Sequence, residues 1–191
     1  ITPFAGLKAH LEKDGVEVIY ERGYVGDVKG EYDGVKTGQD LTESRTAEQL
    51  VADACAAAKD ADVVIFIGGL NKADHQDAEG TDRESFDLPY GQNQVVEALV
   101  NVNPRLVYVN ISGNAAHLSF VKQVPAIVQG WYNGSEAGVA IASVLCGDAN
   151  PSGKLPMTWN DRLEDYAAHA LNTYPGTWRD DKKEIIDEEY K

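Results

Sequence analysis

The sequence is poor in basic residues, cysteines and long apolar runs, and each shortage excludes a class of protein. Lys and Arg total 17 against 31 Asp and Glu, and the net charge of −14 repels nucleic-acid phosphates and anionic lipid headgroups. We therefore expect no nucleic-acid partner and no membrane role. The longest apolar run, Val63 to Ile67, is far too short to span a bilayer. Cys55 and Cys146 are too few and too far apart for a disulfide framework or a metal site, so we expect free buried thiols and no metal.

Sequence motifs of several common chemistries are also missing. Gly68-Gly69 follows an apolar stretch, but the chain contains neither of the phosphate-binding patterns G-x-G-x-x-G and G-x-x-x-x-G-K-[ST]. Ser135 lies outside the G-x-S-x-G pattern of a nucleophile elbow. Three of the four histidines show no mutual spacing that would hold zinc. The sequence therefore predicts no cofactor.

Hydrophobic periodicity predicts helices that alternate with strands along most of the chain. Unbroken runs of Val and Ile indicate strands buried on both faces, which is typical of a parallel sheet covered by helices. The predicted fold class is α/β, with a mostly parallel sheet sandwiched between helices. The helices are expected at about 2–14, 44–59, 92–102, 117–122 and 135–146, and the strands at 16–20, 62–69, 106–111, 126–129 and 155–159.

Length and composition predict one folded domain. The 191 residues, 43% of them hydrophobic, suffice for one buried core, which we place at residues 1–175. Residues 176–191 carry many charges and few apolar side chains, so we expect a charged arm or a linker toward a missing segment. Because the chain starts at Ile1 rather than Met, we expect a piece of a longer protein.

An acidic loop at residues 70–88 is the most informative segment. In open parallel sheets, function collects in the loops that leave the carboxyl ends of the strands. A solvated loop without chemistry is one interpretation, and a calcium site is a second, although the spacing does not fit D-x-[DN]-x-[DN]-G. A third is a carboxylic acid placed for proton transfer. The six carboxylates of the loop are Asp74, Asp77, Glu79, Asp82, Glu84 and Asp87.

Glu79 is the strongest candidate for such an acid. Gly80 follows it and permits the close approach of a ligand. Asp82 and Arg83 form a charge pair that could hold the loop in place. His75 lies in the same loop, either as an orienting hydrogen-bond partner or as an exposed histidine without a role.

Two motifs carry a family resemblance. They are E-G-T-D-R-E-S-F-D-L-P-Y-G-Q at 79–92 and a long stretch at 124–159 that contains G-D-A-N-P-S-G-K-L-P. With them the sequence resembles the carboxyl-terminal α/β sandwich domain of glycoside hydrolase family 3, whose members are largely β-glucosidases with some β-xylosidases. Further matches at 1–7 and 172–176 extend the resemblance over nearly the whole chain.

The resemblance implies a retaining, exo-acting enzyme that hydrolyses terminal β-linked glucose from oligosaccharides or glucosides. A preceding (β/α)8 barrel would supply the nucleophilic Asp, and this domain would supply the acid/base. That Glu falls on Glu79, with Asp77 as the fallback. The chain alone would then be inactive, and the resemblance favours a periplasmic or secreted protein.

Several alternatives stay open at this point. The enzyme could be a β-xylosidase of the same family, or the chain could be a non-catalytic carbohydrate-binding or interaction module. Asp77, His75 and Trp131 are further candidates for substrate binding. Trp131 is either an aromatic platform for a leaving-group sugar or a core tryptophan.

Overall fold

A three-stranded parallel sheet lies at the centre of the protein, and its strands lie in the order Val64–Gly69, Leu106–Ile111 and Ala126–Gln129. The computed structural model describes residues 1–26, 31–32, 35–36, 42–73, 75–79, 82–173, 177–179 and 184–186. The helices in these ranges are α1 (Pro3–Leu11), α2 (Ala47–Lys59), α3 (Gln92–Val102), α4 (Ala137–Leu145) and α5 (Ala167–Ala170). The strands are β1 (Glu31–Tyr32), β2 (Val35–Lys36), β3 (Val64–Gly69), β4 (Leu106–Ile111), β5 (Ala126–Gln129), β6 (Thr177–Arg179) and β7 (Glu184–Ile186).

The sheet register brings the carboxyl ends of the three central strands to one edge. Gly69, the last residue of β3, pairs with Ile111, and Asn110 of β4 pairs with Gln129 of β5. Two short antiparallel pairs, β1-β2 and β6-β7, stand outside this sheet. The predicted α/β class with a parallel sheet is confirmed.

Burial covers both faces of the sheet. Successive side chains of a strand point to opposite faces, so Tyr108 and Val109 of β4 face different sides. Both are fully buried. Tyr108 belongs to a core that α2, α3 and residues 116–124 complete, and its ring lies 4.8 Å from that of Phe120. Helix α2 begins with a capping box, in which Thr46 and Gln49 exchange hydrogen bonds.

Three predicted elements are wrong. Residues 16–20 form no strand, and Ile19 is 62% exposed, because within the described ranges no neighbouring strand pairs with them. Residues 117–122 form turns instead of a helix, and His117 is held extended in an isolated parallel bridge with Asp87, in which its backbone N–H donates to the carbonyl of Phe86. Residues 155–159 also form no strand.

Helices α1 and α4 touch at two glycines. A Cβ atom built on Gly6 would lie 2.1 Å from the carbonyl oxygen of Gly138, and one on Gly138 would lie 2.1 Å from that of Thr2. The small residues of α4 therefore serve helix packing.

Among the residues that the structure describes, no helix is long and apolar enough to cross a membrane. Cys55 and Cys146 are free thiols, and both are half-buried, whereas buried thiols were expected.

We expect Gly6→Ala to lower the free energy of unfolding by about 1–3 kcal/mol, because the new methyl group has to push the two helix backbones apart. Chemical denaturation of the chain measures this effect. Gly153→Ala is the matched control, since nothing lies within 4 Å of a Cβ atom there. Equal stability of the two variants would contradict the close contact between α1 and α4.

Candidate functional site

The acidic loop starts from a peptide unit that a buried side chain holds. The N–H of Gly69 donates to Oε1 of Gln92 at 2.8 Å, and Nε2 of Gln92 donates back to the Gly69 carbonyl at 2.8 Å. Gln92 is fully buried at the start of α3. Gly69 has φ +129°, a conformation that glycine tolerates. The direction in which the loop leaves β3 is thereby set.

A compact turn organised by Asn71 follows. The Asn71 side chain accepts from the N–H of Ala73 at 2.7 Å, and its backbone carbonyl accepts from the N–H of Asp77 at 2.9 Å. The backbone N–H of Asn71 donates to the Gln76 side chain at 3.0 Å, and Gln76 donates in turn to the Tyr90 hydroxyl at 2.6 Å. These bonds fix where Asp77 lies. Asp74 falls outside the described residues.

The Asp77 carboxylate joins the loops that follow all three central strands. Its Oδ2 accepts from the N–H of Gly113 at 2.7 Å and from the hydroxyl of Tyr132 at 2.6 Å. Its Oδ1 accepts from the side-chain amide of Asn114 at 2.9 Å. Gly113 and Asn114 follow β4, and Tyr132 follows β5. Both Asp77 oxygens are therefore engaged by protein donors, which does not suit a residue that must give a proton to a substrate.

Glu79 lies two residues further along the loop and differs from Asp77 in its exposure and its hydrogen bonding. It is exposed, and within the described part of the chain its carboxylate has no hydrogen-bond or ion-pair partner. Gly80 and Thr81, which follow it, lie outside the described residues. Chemically, Glu79 is a carboxyl group free to meet a ligand.

Arg83 anchors the far side of this segment. Its Nη2 donates to the carbonyl of Ala115 at 2.7 Å, and its guanidinium lies 5.6 Å from the ring centre of Phe86. Burial lowers the pKa of Arg83, and the charge of Asp77 opposes that shift. The expected pairing of Arg83 with Asp82 is wrong, because the guanidinium turns to the loop after β4 instead. Glu79 therefore lies between two anchored residues, Asp77 and Arg83.

The two other predicted binding residues lie at the same edge. His75 is exposed, and its Nδ1 lies 3.0 Å from the backbone carbonyl of Asp82, so it braces the loop internally. Trp131 follows β5, is half-buried and has φ +54°, which is unusual for a residue with a side chain. Its neighbour Tyr132 is the donor to Asp77. Trp131 thus belongs to the loop that Asp77 ties down.

The sequence did not predict the hydrogen-bond partners of Asp77 or the polar side chains that lie behind them along β4. Side chains at alternate positions of β4 point into one network: the Tyr108 hydroxyl donates to Asn110 at 2.8 Å, and Asn110 donates to Ser112 at 2.7 Å. Asn110 also donates to Gln129 of β5 at 2.6 Å. The sequence signal was present, since polar residues at period two end the apolar run L-V-Y-V-N-I-S.

Comparisons with known proteins agree with this architecture. The profile of the family described as "Glycosyl hydrolase family 3 C-terminal domain" matches residues 1–190. The β-glucosidase BoGH3A of Bacteroides ovatus is 43% identical over 193 residues, which cover 100% of this chain and 24% of that protein.

Two solved structures give the same result. A glycoside hydrolase family 3 β-glucosidase from Bifidobacterium adolescentis superposes with a TM-score of 0.69 at 28% identity, covering 90% of this chain and 23% of that one. The β-glucosidase of Kluyveromyces marxianus in complex with glucose superposes with a TM-score of 0.63 at 37% identity, covering 67% and 15%. The chain spans less than a quarter of the length of each of these relatives. By its match from end to end and by its parallel sheet, the chain belongs to the family of glycosyl hydrolase family 3 C-terminal domains.

Proposed function

We propose that this chain is the acid/base-bearing domain of a longer, retaining, exo-acting β-glycosidase that releases terminal β-linked glucose from oligosaccharides or glucosides. The observation that carries the proposal is the exposed Glu79 carboxyl group, which lies without a partner in the described residues between two anchored neighbours. The relatives support the substrate class, since their names describe β-glucosidases.

The proposed chemistry needs one carboxyl group from this domain and one from elsewhere. In a retaining mechanism the two carboxyl groups stand about 5 to 5.5 Å apart across the scissile bond. Glu79 gives its proton to the leaving oxygen while the second carboxylate attacks the anomeric carbon. In the second step, Glu79 takes a proton from the water that releases the sugar. We place the nucleophile in a (β/α)8 barrel that precedes this chain in the full-length protein.

Asp77, the alternative acid, fits this role less well. An acid must lose and regain its proton at each turnover, and it must reach the leaving oxygen. Both Asp77 oxygens already accept hydrogen bonds from the loops after β4 and β5. Its position therefore favours Glu79 as the acid.

Turnover of aryl glycosides by two proteins tests the proposal. The full-length protein, meaning this chain together with the barrel, should hydrolyse aryl β-glucosides faster than aryl β-xylosides. The chain alone should show no turnover above buffer, because transition-state stabilisation needs the nucleophile and sugar-binding groups of the barrel. Preference for the xyloside would instead support a β-xylosidase.

The competing function is a non-catalytic carbohydrate-binding module. Titration of the chain alone with glucose or cellobiose in a calorimeter should give no heat of binding. Tight binding by the chain, combined with an inactive full-length protein, would contradict the enzymatic proposal and support the binding module.

A further inference from the structure

We infer that Asp77, through Tyr132 and Asn114, is a positioning residue that holds Glu79 at the reacting bond. This inference rests on the proposed function and adds a residue to its machinery. It concerns the geometry of proton transfer, and Asp77 itself exchanges no proton with substrate.

Three hydrogen bonds tie Asp77 to loops that are distant in sequence. Asp77 is only two residues from Glu79, so their Cα atoms are at most about 7 Å apart. The donors to Asp77 come from positions 36, 37 and 55 residues away in sequence. Among the described residues, no other hydrogen bond joins a charged side chain of the 71–79 segment to the loops after β4 and β5. Asp77 therefore transfers the position of the sheet edge to the segment that carries Glu79.

The loop that donates to Asp77 from Asn114 is itself held by buried hydrogen bonds. Asn114 accepts, through its backbone carbonyl, from the Ser112 hydroxyl at 2.8 Å, and Ser112 accepts from Asn110 at 2.7 Å. Asn110 and Ser112 are buried to 1% and 0% exposure. A fully bonded buried network of this kind holds a single arrangement. The loop that presents Asn114 to Asp77 is thus fixed by the core of the sheet.

Gly113 leaves the space that the hydrogen bonds to Asp77 need. A Cβ atom on Gly113 would lie 3.2 Å from a ring carbon of Tyr132 and 3.4 Å from Oδ2 of Asp77. Glycine at this position lets the Tyr132 hydroxyl and the Gly113 N–H reach the same carboxylate oxygen. Any larger residue would press on the hydrogen bonds that locate the segment.

Positioning of this kind has a characteristic kinetic effect. A misplacement of about 1 Å can slow a reaction about 10²-fold. A misplaced Glu79 leaves substrate binding unchanged, so the loss of activity appears in kcat. In the bond-cleavage step the loss falls on substrates that need a proton, whereas kcat/KM for substrates with activated leaving groups is spared.

The test compares Tyr132→Phe and Asp77→Asn in the full-length protein, with cellobiose and 2,4-dinitrophenyl β-glucoside as substrates. We expect kcat for cellobiose to fall about 10- to 100-fold with an unchanged KM, and kcat/KM for the activated glucoside, which reports bond cleavage alone, to stay within about twofold. Tyr132→Phe keeps the ring and so keeps the fold even where Asp77→Asn does not. Tyr166→Phe is the matched control, because the hydrogen bonds of the Tyr166 hydroxyl among the described residues are to Thr158 and Asn160 and none reaches Asp77.

A double variant separates positioning from a general structural role. If Tyr132 acts through Glu79, adding Tyr132→Phe to Glu79→Gln should cause no further loss on cellobiose. Multiplied losses in the double variant, or equal losses on both substrates, would overturn the inference. Those results leave the proposed function intact if the loss of activity in the Glu79→Gln variant grows as the leaving group becomes less acidic. A loss that does not vary with the leaving group would overturn both the inference and the proposed function.

Discussion

Replacing Glu79 by alanine in the full-length protein is expected to lower kcat for cellobiose and alkyl β-glucosides by about 10² to 10⁴-fold, the usual contribution of general acid catalysis. An activated aryl glucoside should lose far less in the step that cleaves the glycosidic bond, because its leaving group departs without a proton. A plot of log kcat/KM, which reports this step, against the leaving-group acidity should therefore become steep in the variant.

Glu84→Ala is the matched control for this experiment. Glu84 lies in the same loop, its side chain is 82% exposed, and its nearest ionic contact is His75 at 3.9 Å. We expect kinetics like those of the unmodified protein. A steep leaving-group plot for Glu84→Ala, or a flat one for Glu79→Ala, would contradict the assignment of the acid.

Gly69→Ala is expected to lower the free energy of unfolding by about 3–5 kcal/mol, since it combines backbone strain with a steric clash. Gly69 has φ +129°, and a Cβ atom there would lie 2.0 Å from the carbonyl oxygen of Ile111. That carbonyl accepts the N–H of Leu70 at 2.9 Å, so the clash also disturbs the start of the acidic loop.

Chemical denaturation of the chain measures this effect, with Gly153→Ala as the control because its added methyl group meets open space. A Gly69→Ala chain as stable as the control would show that the β3–β4 pairing near Ile111 is looser than described.

The central strands and the main helices were predictable because their signals are local. Helix α3 occupies 92–102 as expected, and β4 and β5 have the expected bounds of 106–111 and 126–129. Their unbroken apolar runs leave little choice of structure. Residues 16–20 carry a similar strand pattern, but a strand also needs a neighbour, and none pairs with them within the described ranges.

The site divides in the same way. The loop after β3 was predictable from its length, its charge and its place at the end of a parallel strand. The role of Asp77 was not, because its donors Gly113, Asn114 and Tyr132 are 36 to 55 residues distant and belong to two other loops. Arg83 shows the same limit: the adjacent Asp82 suggested a local ion pair, whereas the fold offers the Ala115 carbonyl.

The most direct test of the central claim is the product that the Glu79→Ala full-length protein forms from 2,4-dinitrophenyl β-glucoside in the presence of azide. Without the base, water attacks the covalent intermediate slowly, and azide, which needs no deprotonation, should take its place. The account predicts faster turnover with added azide and β-glucosyl azide as the product, identified by NMR and mass spectrometry. Hydrolysis to glucose alone at an azide-independent rate, or rescue of Asp77→Ala instead, would contradict the account.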